Sequence, residues 1–311
     1  MPGTPTMPGD PAPLPRSPSP PIGARPPRRI PLALATWALI VVVLAVVVVL
    51  LILKITQGAA TVAGSLTGPA VASAPAAVVD ETTSVPPAVY NEVGAPGTSG
   101  EPPQVLSGQP VPTVGGLPVV VFVGGEFCPF CAAERWVVVT ALSRFGTFAH
   151  LGATSSASNQ VFPKTATFTF VGSTFTSQFV SLQTAEAYAD GPSQTAPAGV
   201  ARLEKLTALE ASLLHHYGTQ SAGGPVLPFV DVANKLVATG AQIGIAPAAL
   251  SGEPMGAIAG ALSDPSDPGT EAILGAANEL AAAICAATGQ EPASVCAAPG
   301  VRAGAARLGL V

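Results

Sequence analysis

Cys128 and Cys131 stand two residues apart, where an apolar run, Val119 to Val123, gives way to a helical pattern that reaches about Arg144. A helix N-terminus presents unpaired N–H groups and a partial positive charge. A cysteine at that mouth is therefore biased toward its thiolate, the form that attacks disulfides. Pro129 suits the first helical turn, where its missing N–H costs nothing. Cys131 lies about one turn further in, placed to attack a mixed disulfide on Cys128 and release whatever is bound there. The chemistry of this spacing is dithiol–disulfide exchange. Two other uses of the same residues stay open: an inert structural disulfide, and half of a zinc site.

Other residues of chemical interest are weighed beside that pair. Glu134 and Arg135 follow it on the helix and read as a solvated face. The sharper alternative is that Arg135 stabilises a thiolate. His215 and His216 end a second helical pattern, where cations favour the dipole. As copper or zinc ligands they would need to meet the cysteines, and nothing in the sequence brings them together. Cys285 and Cys296 bracket a helix end and a loop holding Gly289 and Pro292. A structural disulfide across so short a loop adds about 3 kcal/mol on a chain-entropy argument. A second redox pair that relays electrons to Cys128 and Cys131 is the alternative. A ten-residue gap is not a usual zinc spacing. The chain has no phosphate-binding Gly-rich loop with Lys, no dinucleotide fingerprint, no HExxH and no GxSxG. No small-molecule cofactor is expected.

These residues need elements to position them. The uninterrupted Val/Phe run before the cysteines has the pattern of a strand covered on both faces. The next helix carries Phe130, Trp136, Val137, Val139, Leu142 and Phe145, with Gly146 as its stop. A strand is expected at 150–154. Thr167 to Val171, a turn at Gly172 and Ser173, and Phe175 to Leu182 read as a β-hairpin. A second helix is expected from about Ala198 to Tyr217, with Gly218 as its stop. Pro225 to Val232, a turn at 233–235 and Leu236 to Ala238 give two strands, and a last helix runs from about Thr270 to Ala287.

The chain has 311 residues and a net charge of −5. Residues 1–29 are Pro-rich with four arginines and read as a disordered tail. Residues 30–54 begin with an uncharged apolar run through Leu53, long enough to cross a ~30 Å hydrocarbon core as a helix. That run far exceeds the ~7–15 residues of a cleaved signal core, so an uncleaved anchor is expected. Arg25, Arg28 and Arg29 flank it, and after Lys54 no Lys or Arg occurs until Arg135. The positive-inside rule then puts the N-terminus in the cytoplasm and the remainder outside a cell membrane. All four cysteines lie in that outer part, where disulfides persist. Residues 55–84 read as a flexible linker, 85–298 as the folded domain and 299–311 as a C-terminal tail. The outer part is mildly acidic without a basic patch, which argues against nucleic acid as a partner.

The order of strand, CxxC helix, strand, helix, proline, two strands and helix resembles the thioredoxin superfamily. The block from Gly124 to Trp136, with Leu142 to Phe148, resembles more closely the uncharacterised membrane-protein family of domain of unknown function 929. The wider resemblance implies an α/β, thioredoxin-like domain, here with an inserted β-hairpin and preceded by one transmembrane helix. It also implies a cis proline facing the cysteines. Pro228 fits that place because the strand starts right after it, and Pro225 is the rival. An ordinary trans proline at a strand start is the plainer alternative. Thioredoxins carry a buried Asp six residues before the first cysteine, whereas this chain has Phe122 there. Its nearest acid, Glu126, falls in the turn, so the sequence names no buried proton acceptor for Cys131. The resemblance implies a membrane-anchored, extracytoplasmic thiol–disulfide oxidoreductase acting on thiols and disulfides of secreted or membrane proteins. Cys128 would attack, Cys131 would resolve, and Pro228 would face the substrate. A metal-carrying module for copper or zinc and a non-catalytic scaffold with a structural disulfide are the alternatives of other classes.

Overall fold

A computed structural model describes residues 72–97, 102–188, 204–219, 225–243 and 245–310. The expected tail at 1–29, the transmembrane helix at 30–54 and the linker up to residue 71 lie outside the described residues. In chain order the elements are β1 (Ala72–Ser73), α1 (Ala76–Thr83), α2 (Pro87–Val93), β2 (Gln104–Val105), β3 (Thr113–Val114), β4 (Leu117–Gly125) and α3 (Pro129–Leu142). Then come β5 (Gly146–Ala149), β6 (Gly152–Ser155), β7 (Ala166–Thr169), β8 (Thr174–Ser177), β9 (Ser181–Tyr188) and α4 (Ala208–Tyr217). The chain closes with β10 (Phe229–Val232), β11 (Leu236–Thr239), α5 (Met255–Ala261), α6 (Pro268–Thr288), α7 (Ala293–Cys296) and α8 (Pro299–Leu308). The protein is mixed α/β.

β4 is the centre of the main sheet because its side chains suit burial on both faces. Val119 to Val123 are fully buried. On one side β4 pairs in parallel with β9, Val119 beside Ser181 and Val123 beside Ala185. On the other it pairs antiparallel with β10, Phe229 beside Val123 and Val232 beside Val120. β11 and then β2 extend that edge, while β3 folds back on the start of β4. Burying a Val or Phe side chain is worth roughly 1.5–3 kcal/mol, so this strand is a firm anchor for its neighbours in sequence. The cysteine turn and α3 come directly after it.

α3 is itself apolar nearly all round, and a helix of that kind belongs in a core. α6 packs along it and reaches β4 and β10. α6 is long and apolar enough to cross a membrane by length and composition alone, yet most of it is buried inside the fold, with Ile273, Leu274 and Ile284 fully covered.

Four expectations need correction. The hairpin across Gly172 and Ser173 does not form. β7 pairs with β6, and β8 pairs with β5. Gly172 supplies the turn at φ +73°, but each flanking strand has a better partner. Phe168 is held edge-on against Trp136 at 4.7 Å, while Phe175 meets Phe148 at 4.8 Å. Of the helix expected from 198, residues 198–203 lie outside the described residues, 204–207 are not helical, and α4 begins at Ala208. Thr207 caps it, its hydroxyl accepting from the Glu210 N–H while the Glu210 carboxylate accepts from the Thr207 N–H. Within the stretch read as linker, α1 is a helix whose Val78 and Thr82 are buried, and β1 pairs with β6. The described fold therefore starts by residue 72 rather than 85.

The stretch read as a tail, 299–311, carries α8, which packs on α6 through buried Val301. Glycine permits that close approach, because a Cβ at Gly304 would sit 2.6 Å from the Asn278 carbonyl oxygen. Arg307 and Glu279 pair across the same contact at 2.6 Å. Asn278 joins three elements at once. Its Nδ2 donates to the carbonyls of Tyr90 and Gly94 at 2.8 and 2.7 Å, and its Oδ1 accepts from Arg144 at 2.9 Å.

Candidate functional site: a cysteine pair beside a buried ion pair

Cys128 is the N-cap of α3. Its Sγ accepts from the backbone N–H of Cys131 at 3.3 Å, satisfying a donor that the first helical turn leaves free. Pro129 occupies the first helical position. Cys131 is fully buried, and its Sγ accepts from the Gly125 N–H at 3.4 Å. Both cysteines are free thiols. Their environments split them. The Cys131 thiol, assisted by backbone N–H groups and the Arg135 charge, hydrogen-bonds Cys128 and lowers its pKa against the opposing effect of burial. Burial raises Cys131 well above the ordinary thiol range, and the bond and charge of Cys128 push it further the same way. One sulfur is prepared to ionise and the other is kept protonated.

The segment before β10 comes up to this pair. Cys128 Sγ lies 3.9 Å from the Leu227 carbonyl oxygen, and the Leu227–Pro228 peptide is cis. Pro225, the rival, forms an isolated bridge with Thr219, and the peptide before it lies outside the described residues.

Glu134 and Arg135 do not form a solvated face. Both are fully buried. The signal was present in the sequence: they interrupt a run of Ala132, Ala133 and Trp136 to Val139, which leaves the helix no polar side on which to place them. Arg135 donates through Nε and Nη2 to the two carboxylate oxygens of Glu186 on β9, at 2.7 and 2.6 Å. Such bidentate pairs are the strong form of a charge-assisted bond. Its Nη2 is also 4.0 Å from Glu126 Oε1, and the guanidinium carbon lies 5.8 Å from the centre of the Phe122 ring. Burial opposes the guanidinium charge, but the two carboxylates outweigh it and raise the Arg135 pKa. Glu186 is pushed up by burial and drawn back by Arg135. Glu126, buried in the turn before Cys128, accepts from the Thr169 hydroxyl at 2.5 Å. Nothing local in the sequence pointed to Glu186, whose partner is 51 residues away.

Two other buried acids have no such compensation. Among the described residues Glu134 has no hydrogen-bond partner on either oxygen, and burial raises its pKa well above the carboxylate range. It borders a cavity of about 20 Å³ that Val137, Val230, Leu280 and Glu279 also line. Asp231, fully buried on β10, accepts from the Asn234 N–H at 3.1 Å, and burial raises its pKa to about 7. His215 and His216 close the last turn of α4, with His216 edge-on to Tyr217. Among the described residues no three His, Cys, Asp or Glu side chains gather as a metal site.

The second cysteine pair is bonded. Cys285, in the last turns of α6, and Cys296, at the end of α7, form a disulfide with Cα atoms 5.6 Å apart. Gly289 ends α6 in the left-handed region at φ +69°, which turns the chain back for that closure.

No curated protein and no solved structure matches the chain. A family model does. It runs from just before β3, through the cysteine turn and the buried ion pair, to the residue after Cys285 in α6. That family is described as Domain of unknown function (DUF929), the match covers residues 111–286, more than half of the chain, and the protein belongs to it.

Proposed function

We propose that this protein is a membrane-anchored thiol–disulfide oxidoreductase with a thioredoxin-like domain outside the membrane. The observation that carries this is the asymmetry of the pair: Cys128, 7% exposed at a helix mouth, has its pKa lowered, while Cys131, fully buried one turn behind it, has its pKa raised. The strand order β9–β4–β10–β11, parallel and then antiparallel about the strand that feeds the CxxC helix, supports the fold. So does the approach of the Leu227 carbonyl, just before Pro228, to Cys128.

In one direction the steps are these. The Cys128 thiolate attacks one sulfur of a client disulfide, an S–S bond forms between protein and client, and the client's own S–S bond breaks. The leaving client sulfur takes a proton from solvent. Cys131 then loses its proton, attacks Cys128 Sγ and releases the second client sulfur. Two electrons have passed to the client, and Cys128 and Cys131 are joined. Run backwards, the same steps oxidise a client dithiol. The apolar span at 30–54 and the arginines before it support a position outside a cell membrane, with secreted or membrane proteins as clients.

The test is equilibration of the full-length protein in glutathione buffers, with the state of Cys128 and Cys131 read by thiol alkylation and mass. A reduction potential between about −120 and −270 mV, the span of known exchangers, is expected. A value below about −300 mV would make the pair structural and end the proposal.

A further inference from the structure

The buried ion pair sits under the cysteine turn, and its parts converge on one place. Cys131 and Arg135 are four residues apart on α3, hence on the same face one turn apart. Glu186 Oε2 lies against the backbone of Gly124, where a Cβ would stand only 3.1 Å from it. The next residue, Gly125, donates its N–H to Cys131 Sγ, and the one after, Glu126, is 4.0 Å from Arg135. The groups facing the guanidinium are thus Glu186 from β9, Glu126 from the turn, Phe122 from β4 and Cys131 from its own helix. The Glu204 carboxylate accepts from the Glu186 backbone N–H at 2.9 Å. Among the described residues Arg135 Nη1 has no hydrogen-bond partner. Glu186 takes up Nε and Nη2, which leaves Nη1 outside its clamp.

We propose that Arg135 is a positioning residue for the cysteine pair: its buried guanidinium favours thiolate at Cys128 and Cys131, and Glu186 clamps it there while cancelling part of that charge. The clamp therefore sets how strongly the pair oxidises its clients, since a stabilised thiolate stabilises the reduced form. Phe122, standing where an acid would oppose thiolate formation, fits the same arrangement. This deepens the oxidoreductase proposal and rests on it.

The two halves of the clamp make opposite predictions. Glu186→Gln removes the counter-charge and keeps a hydrogen-bond acceptor for Arg135. The pH midpoint of Cys128 alkylation by iodoacetamide, measured on full-length protein, should fall by about one pH unit. The double variant Arg135→Met with Glu186→Gln removes the cation without stranding an acid, and its midpoint should rise by a similar amount. Arg135→Lys keeps the charge and should titrate near the parent. The equilibrium with glutathione should move about tenfold in the oxidising direction for the first variant and in the reducing direction for the second. A merely structural ion pair would alter melting and leave these midpoints in place. Unchanged midpoints in folded variants, or shifts of the same sign, overturn the proposal. Should the double variant not fold, an unshifted Glu186→Gln midpoint overturns it alone. If the parent pair does not exchange with glutathione at all, the oxidoreductase proposal fails, while the midpoints still judge Arg135.

Discussion

The two cysteine pairs occupy opposite kinds of helix end. Cys128 stands at the start of α3, where Sγ receives a backbone N–H from Cys131. Cys285 stands in the last turns of α6, where its carbonyl oxygen instead receives N–H bonds from the capping residues Gly289 and Gln290. Helix starts offer donors and positive potential, helix ends offer carbonyls and negative potential. A thiolate is therefore supported at the first place and opposed at the second. The spacing differs as well. A separation of 11 residues, turned by Gly289, brings Cys285 and Cys296 into bonding range while closing a short loop. Cys128 and Cys131 share one helical turn beside a buried cation. On the proposed reading, the same residue type goes to chemistry or to cross-linking according to its place on a helix and the charges near it.

The sharpest way to break that contrast is trapping. Cys131→Ser leaves the attacking sulfur without its resolver, so cells expressing it should accumulate mixed disulfides through Cys128, seen as reducible bands on non-reducing gels. Cys128→Ser should accumulate few or none. Equal trapping by both, with folded protein, would erase the assigned difference between attacking and resolving sulfur.

Next in size is the bonded pair. Replacing Cys285 and Cys296 together by Ser should cost about 3 kcal/mol, because the loop between them regains its unfolded freedom. That corresponds to a fall of roughly 6–12 °C in melting temperature. Glutathione equilibration of Cys128 and Cys131 should be unaffected; loss of exchange in a folded variant would instead make the second pair part of a relay.

The acids sharpen the contrast at the charge level, since Glu186 is compensated by Arg135 while Asp231 and Glu134 are not. Asp231 has a pKa of about 7 in the fold, above the ordinary carboxylate value it regains on unfolding. The fold therefore prefers it protonated. Its contribution is full below the ordinary carboxylate pKa and is lost as pH rises through about 7. Between about pH 4 and pH 7 the parent should lose roughly 1–3 kcal/mol relative to Asp231→Asn, measured by urea midpoints across that window. Parallel pH profiles would locate the titration elsewhere.

Smallest is Glu134→Met. Replacing an unpartnered buried acid by an apolar side chain of similar size should raise stability by about 1 kcal/mol, or roughly 2–4 °C. The Cys128 alkylation midpoint should stay put, because burial favours the uncharged form of Glu134. A shift there would mean that the thiols sense more than the Arg135 clamp.

How much could be read from the sequence depends on how local each signal is. The run from Val119 to Val123, Pro129 at a helix start and Gly289 at a helix stop are chain-neighbour effects, and these elements stand within a few residues of their expected places. The short loop between Cys285 and Cys296 was likewise legible as a disulfide. The failures are tertiary. A Gly-Ser turn between two alternating runs looks the same whether the runs pair with each other or, as β7 and β8 do, with β6 and β5. α1 is an Ala/Val/Thr segment resembling a tether, and its buried side is defined by α5 and α3. At the site, the turn cysteines were visible, whereas the charges that tune them come from Glu186 and from an arginine that general expectation assigns to solvent. Glu126 could be placed in the turn, but not its burial under Thr169.

Asn278 has a mechanical consequence. It fastens α2, near the first described residues, to α6 and, through Arg144, to the residues just after α3, and Asn91 on α2 also accepts from the Gly300 N–H that opens α8. Tension applied to the chain ahead of Ala72 would meet the short β1–β6 pairing first, then α1 and this rivet. Part of that load also reaches the reactive end, because β6 runs on to Ala157, whose N–H donates to the Phe127 carbonyl in the cysteine turn at 3.0 Å. Asn278 takes the rest, so that α2, α6 and the end of α3 would move under such a load as one piece.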